Sequence, residues 1–127
     1  MAVENAPGSQ MPILQRCASG AEARAELARM RASHRPTEET PRLILLDLKL
    51  PDASGFDLLE EIKSDARLRQ IPVVVVTSST NMVDVHECYE NGANSYVRKP
   101  IDLDGFTRMV ERLRGFWLET AELPIPI

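Results

Sequence analysis

Three side chains of complementary chemistry close three strand-like runs: Asp47 ends RLILLD, Thr77 ends IPVVVVT and Lys99 ends NSYVRK. A carboxylate can attack a phosphoryl group, while an ammonium and a hydroxyl can stabilise the charge that results without any covalent role. In an open α/β sheet, ligands bind in the crevice beyond the carboxyl ends of the strands, so three strand-end side chains would meet on one rim. An Asp that closes a buried strand alone is usually a helix cap or a solvated carboxylate. With Thr77 and Lys99 in matching positions the balance changes, because a phosphoryl-transfer site needs several roles filled together.

The surrounding pattern supplies the elements that would hold this set. RLILLD (42–47) and IPVVVVT (71–77) are unbroken apolar runs, as expected of parallel strands covered on both faces. PILQRC (12–17) and NSYVRK (94–99) read as shorter strands. Between them lie helical stretches. Ser19 with Glu22 makes a capping box before AEARAELARMRA, whose Ala21, Ala25, Ala28 and Leu27 form a weak apolar stripe. Ser54 caps GFDLLEEIKSD, where Phe56, Leu59 and Ile62 share a face. A helix over 82–91 ends at Gly92, and Asp102 opens a last helix with Leu103, Phe106, Val110, Leu113 and Trp117 at core-facing spacing. From residue 12 onward strand and helix alternate four times, which predicts a parallel sheet with right-handed crossovers and helices on both faces.

At 127 residues the chain suits one domain. With 43% hydrophobic and 27% charged residues, it has the composition of an ordinary soluble globular protein. A net charge of −4 without a basic cluster argues against nucleic acid as a partner. No stretch approaches the ~18 apolar residues of a membrane span and no signal peptide is visible, so a cytoplasmic location is expected. Cys17 and Cys88 lack metal-site spacing and read as reduced thiols, while His34 and His86 read as ordinary surface or partly buried histidines.

DLKLPDASG (47–55), VVVVTS (73–78) and YVRKP (96–100), in this order and spacing, resemble the receiver domains of response regulators over about residues 12–119. The resemblance implies a flavodoxin-like, doubly wound α/β fold in which Asp47 accepts a phosphoryl group from a sensor histidine kinase. It assigns Lys99 to pair with that group, Thr77 to hydrogen-bond it, and Tyr96 to reorient as the switch aromatic. A strand aromatic that is simply half buried is an equal alternative for Tyr96. Pro51 and Gly55 match the family's loop and helix start, Ser78 is small enough to leave the site open, and a cis peptide is implied at Lys99–Pro100. Such a bond costs only about 0.5–1 kcal/mol before proline. The implied cofactor is Mg2+, held by Asp47 and the backbone carbonyl of Lys49. Activity beyond phosphoacceptance would be at most a weak autophosphatase.

The family begins with a further strand, ending in two adjacent acidic residues that help to hold magnesium, and a helix. Placing PILQRC on the family's second strand leaves only eleven residues before it. The first βα unit is therefore expected to be truncated or missing, and residues 1–11 to be a remnant or loop, with Glu4 of AVEN the one carboxylate left for the metal. RLILLD would then pair directly with PILQRC or stand as an open edge. A late start codon, natural degeneration and a strand supplied by a partner are equally open explanations.

At the other end, GFWLETAELPIPI (115–127) resembles the tail of phytochrome-associated response regulators. This implies a phytochrome as the kinase and a homodimer through the last helix and the apolar tail 120–127. A tail folded back on its own domain is the alternative. The leading function is thus a single-domain response regulator acting through protein–protein contacts, with a phosphorylation-independent pseudo-receiver as the alternative. A haloacid dehalogenase-type hydrolase is disfavoured, since it would carry a second Asp where this chain has Lys49.

Overall fold

The computed structural model describes residues 2–5, 14–16, 19–32 and 41–123. The elements in chain order are β1 (Ala2–Asn5), β2 (Leu14–Arg16), α1 (Gly20–Ala32), β3 (Pro41–Leu46), β4 (Lys49–Leu50) and β5 (Ala53–Ser54). There follow α2 (Gly55–Ser64), β6 (Val73–Thr77), α3 (Met82–Glu90), β7 (Ser95–Arg98) and α4 (Leu103–Arg114), which continues as a π-helical stretch, Gly115–Thr120. Cys17, His34 and the last four residues of the expected apolar tail lie outside the described residues.

Five strands form one sheet in the order β2-β1-β3-β6-β7, and β4 with β5 forms a separate small hairpin. β3, β6 and β7 run parallel, as their apolar runs predict. Because side chains alternate across a strand, the same strands feed two cores. Ile44, Leu46, Val73 and Val75 pack with Ala23, Leu27 and Met30 of α1, with Leu58, Leu59 and Ile62 of α2, and with Cys88 of α3. Leu43, Leu45, Val74 and Val76 face Met109, Val110, Leu113 and Trp117 of the last helix and its extension. Helices therefore cover both faces.

The first strand departs from expectation. β1 is inserted between β2 and β3, so β3 neither pairs with β2 nor forms an edge. It runs antiparallel to both neighbours, with Ala2 opposite Leu45 and Glu4 opposite Leu43. A four-residue strand can fill a central slot because pairing needs only backbone donors and acceptors of matching register.

Local signals account for the helix starts. Ser19 Oγ accepts from the Glu22 N–H at 3.1 Å, and Ser54 Oγ from the Phe56 N–H at 3.2 Å. Asn81 Oδ1 caps α3 through Val83, and Gly92, at φ 96°, provides the left-handed stop. Asp102 stands at the N-cap of α4, yet its side chain makes no capping bond. Two apolar stripes are corrected. On α1 the buried apolar side chains are Ala23, Leu27 and Met30, with Ala21, Ala25 and Ala28 exposed. On α4, Leu103 is exposed, whereas Met109 is buried against Leu43, Leu45, Val74 and Val76 of the sheet.

Candidate functional site

The rim at the carboxyl ends of β3, β6 and β7 is set by strand register. Leu46 stands opposite Val75 and Thr77 opposite Arg98, so Asp47, Thr77 and Lys99 fall within about one residue rise, ~3.3 Å, of a common level. The Lys99 N–H donates to the Thr77 carbonyl at 2.7 Å, which locks the ends of β6 and β7 together. Lys99 Nζ lies 3.7 Å from Asp47 Oδ2, with both side chains partly open to solvent, and 5.9 Å from the centre of the Phe106 ring. An ion pair this exposed contributes little to stability, about 0–1 kcal/mol. Its consequence is positional: a cation stands beside an accessible carboxylate.

The segment after Asp47 is folded tightly onto it. The Lys49 N–H donates to Asp47 Oδ1 at 3.1 Å, and the Gly55 N–H to the Leu48 carbonyl at 2.9 Å. A Cβ on Gly55 would stand 2.3 Å from the Asp47 carbonyl oxygen and 2.6 Å from Leu48 Cα, so only glycine permits this approach. Pro51 and Asp52 form the turn between β4 and β5, where the fixed φ of proline is favourable.

On the β6 side, Thr77 is buried and its Oγ1 accepts from the Ser79 N–H at 3.4 Å. Ser79 Oγ donates to Asp84 Oδ2 at 2.6 Å, and the Ser79 carbonyl accepts from Tyr96 Oη at 3.0 Å. Tyr96 is thereby joined to Thr77 through one intervening residue. Its own N–H donates to Tyr89 Oη at 3.1 Å, and its half-buried ring packs on the α1–α2 core. Ser79 and Asp84 went unnoticed in the sequence, where SSTN reads only as a polar loop before a helix.

Asp52 was also missed. Its carboxylate accepts from Gly20 N–H at 2.5 Å and Ala21 N–H at 3.0 Å, at the start of α1. The Gly20 hydrogen bond, then that of Ala21, hold its carboxyl below the usual range. No local pattern marks a cap supplied from 31 and 32 residues away.

Two expectations are corrected here. Glu4 pairs with Leu43, four residues before Asp47, which places its backbone about 13 Å along the strand from the rim and removes it from the magnesium set. The antiparallel run of β1 is the reason. The peptide before Pro100 is trans, as are all others among the described residues, in keeping with the small intrinsic preference for trans.

Of the oxygens that the resemblance implies for a cation, the structure places the Asp47 carboxylate at the rim. No cluster of three His, Cys, Asp or Glu that could hold a metal occurs among the described residues. Magnesium takes hard oxygen donors, often only one or two carboxylates, and fills its shell with waters and phosphate oxygens. A single carboxylate at the rim matches that demand in kind and meets it at its lower limit. Cys88, the free thiol of the core, is raised to about 11, first by burial and then by Asp84 and Glu87, and stays protonated. No described helix is long and apolar enough to cross a membrane.

Comparison with known proteins identifies the family. Residues 8–111 match the response regulator receiver domain family. Response regulator Rcp1 of Synechocystis sp. is 48% identical over 84 residues, 66% of this chain and 57% of that protein. The chain spans a little over half the length of the curated relatives it matches. Among solved structures, the phosphorylated cyanobacterial phytochrome response regulator RcpA superposes with a TM-score of 0.75 at 41% identity, covering 85% of this chain and 76% of that one. The Mn(2+)-bound form of Rcp1 gives 0.69 at 41% identity, covering 80% and 74%.

Proposed function

The chain belongs to the response regulator receiver domain family, and from that premise we propose that it is a phosphoacceptor in two-component signalling, with Asp47 as the acceptor. The observation that carries this reading is the 3.7 Å approach of Lys99 Nζ to the Asp47 carboxylate on a rim shared with Thr77. An Asp47 oxygen attacks the phosphorus of a histidine kinase phosphohistidine. The new O–P bond forms as the N–P bond breaks, and the electron pair stays on the imidazole nitrogen. Lys99 pairs with a phosphoryl oxygen, and the Thr77 hydroxyl, whose own proton remains available, donates to another. Asp47 and the Lys49 carbonyl would hold Mg2+, which would supply neutralisation of charge on the transferring group. The neighbouring proteins support a metal of this kind, since Rcp1 has been solved with Mn(2+).

Aspartyl phosphate then acts as a signal rather than as a step of turnover. Drawing the Thr77 hydroxyl toward the phosphoryl group removes the acceptor of the Ser79 N–H, and Ser79 is the residue that holds Tyr96 Oη. The population of Tyr96 rotamers shifts accordingly. The output is protein–protein contact in the cytoplasm, with a phytochrome-type histidine kinase upstream and a homodimer through α4 and residues 120–127. The exposed Phe116 supports that dimer, while Trp117 and Leu118 beside it pack against the chain's own core.

The test is incubation with acetyl phosphate and Mg2+, followed by intact mass measurement. A single phosphoryl adduct is expected in the parent and none in Asp47→Asn. A parent that takes no adduct, or an adduct that persists in Asp47→Asn, rejects Asp47 as the acceptor.

A further inference from the structure

Asp52 binds two backbone amides of a helix that begins 32 residues earlier in the chain, although Ser19 already caps that helix locally. A helix end leaves four N–H groups without internal partners, and a carboxylate is well placed there because of its charge. The cost of bringing this loop to α1 is visible in the packing. A Cβ on Gly20 would stand 2.3 Å from Ala53 Cβ and 3.1 Å from Asp52 Oδ1, so the helix start and the hairpin turn are in near-backbone contact. The same hairpin begins at Lys49, whose N–H orients Asp47 Oδ1. Lys49 pairs with Ser54 and Leu50 with Ala53 across only two residues of each strand, too little to be rigid alone.

We propose that Asp52 is a positioning residue for the phosphoacceptor: by clamping the hairpin to the N-terminus of α1 it keeps the Lys49 N–H on the Asp47 carboxylate. This inference deepens the phosphoacceptor reading and rests on it for its kinetic consequence. Without the clamp, the hairpin loses its tie to α1, the Lys49 N–H drifts, and the Asp47 carboxylate rotates among orientations that are mostly unproductive. A misplacement of about 1 Å at a reacting group can cost about a hundredfold in rate, and a carboxylate that still visits its productive orientation part of the time loses less.

The rate of phosphorylation by acetyl phosphate and the hydrogen exchange of the Lys49 amide are measured in the parent, Asp52→Ala, Asp52→Asn and Ser19→Ala, each checked for folding by circular dichroism. Asp52→Ala is expected to slow phosphorylation about tenfold and to expose the Lys49 amide to exchange. Asp52→Asn, which keeps one neutral acceptor, is expected to fall between it and the parent, and reads the effect if the alanine variant fails to fold. Ser19→Ala removes the local cap of the same helix without touching the hairpin, so it should lower stability but leave both readouts unchanged. Parental rate and protection in folded Asp52→Ala, or equal losses in Ser19→Ala, would overturn the proposal. If the parent itself takes no phosphoryl group, the phosphoacceptor reading falls, and exchange at Lys49 alone decides whether Asp52 clamps the hairpin.

Discussion

The two sides of the rim are fastened by different means. On the β3 side, Asp47 is held by backbone: a glycine packed so close that an added Cβ would stand 2.3 Å from the Asp47 carbonyl oxygen, an amide on its carboxylate, and a hairpin clamped to α1. On the β6 side, the Thr77–Asp84 loop is held by hydroxyls, namely Thr77 Oγ1 at 3.4 Å, Ser79 Oγ at 2.6 Å and Tyr96 Oη at 3.0 Å. Backbone contacts at close approach have one arrangement, whereas hydroxyls turn about single bonds and exchange partners. The first construction suits a nucleophile that must be placed, and the second suits a relay that must move.

Substitutions should separate the two sides by size and by kind of effect. The largest loss is expected from Gly55→Ala, since its Cβ would strike the backbone of Asp47 and Leu48. A destabilisation of about 1–3 kcal/mol, read by urea unfolding, should accompany slower phosphorylation. Tyr96→Phe removes only the hydrogen bond to the Ser79 carbonyl, and should cost about 1 kcal/mol while leaving the phosphorylation rate near parental. A rate loss as large as that of Gly55→Ala would erase the distinction between the two sides.

Acid provides a milder probe of the β3 side. The Asp52 carboxyl is held low chiefly by the amides of Gly20 and Ala21. For Asp65, burial pushes upward but is outweighed by the amides of Arg67 and Leu68 and by Arg31. Folded values below the unfolded 3.8 mean that both groups stabilise fully above that pH, and that their contribution disappears as pH falls through the folded values. Urea midpoints should therefore drop below about pH 4, and less steeply in Asp52→Asn/Asp65→Asn. The smallest effect is expected from Asp47→Asn on stability, within about 1 kcal/mol by thermal melting, because the pair with Lys99 is exposed.

What the sequence disclosed and what it concealed follow the same division between local and distant contacts. The apolar runs ending in Asp47, Thr77 and Lys99, the caps at Ser19 and Ser54, and the stop at Gly92 are each written in adjacent residues, and the structure carries all of them. The central antiparallel place of β1 depends on partners up to 43 residues away and leaves no periodic trace in four residues. Asp52 on α1 is hidden for the same reason. Helical spacing marks a face on α4 that includes Met109, three residues after Phe106 and four before Leu113, but it does not record how far that face is covered, and Leu103 at its start is exposed.

The central claim is that phosphorylation leaves the Asp47 hairpin in place and moves the Thr77 loop. Amide spectra of the 15N-labelled protein, recorded with Mg2+ before and after addition of beryllium fluoride as a stand-in for the phosphoryl group, test it most directly. The largest shifts are expected over Thr77–Asp84 and at Tyr96, with Gly20, Ala21 and Asp52 nearly unmoved. Shifts concentrated at Gly20, Ala21 and Asp52 with a silent Ser79 and Tyr96 would contradict it, and a spectrum without change would remove the phosphoacceptor itself.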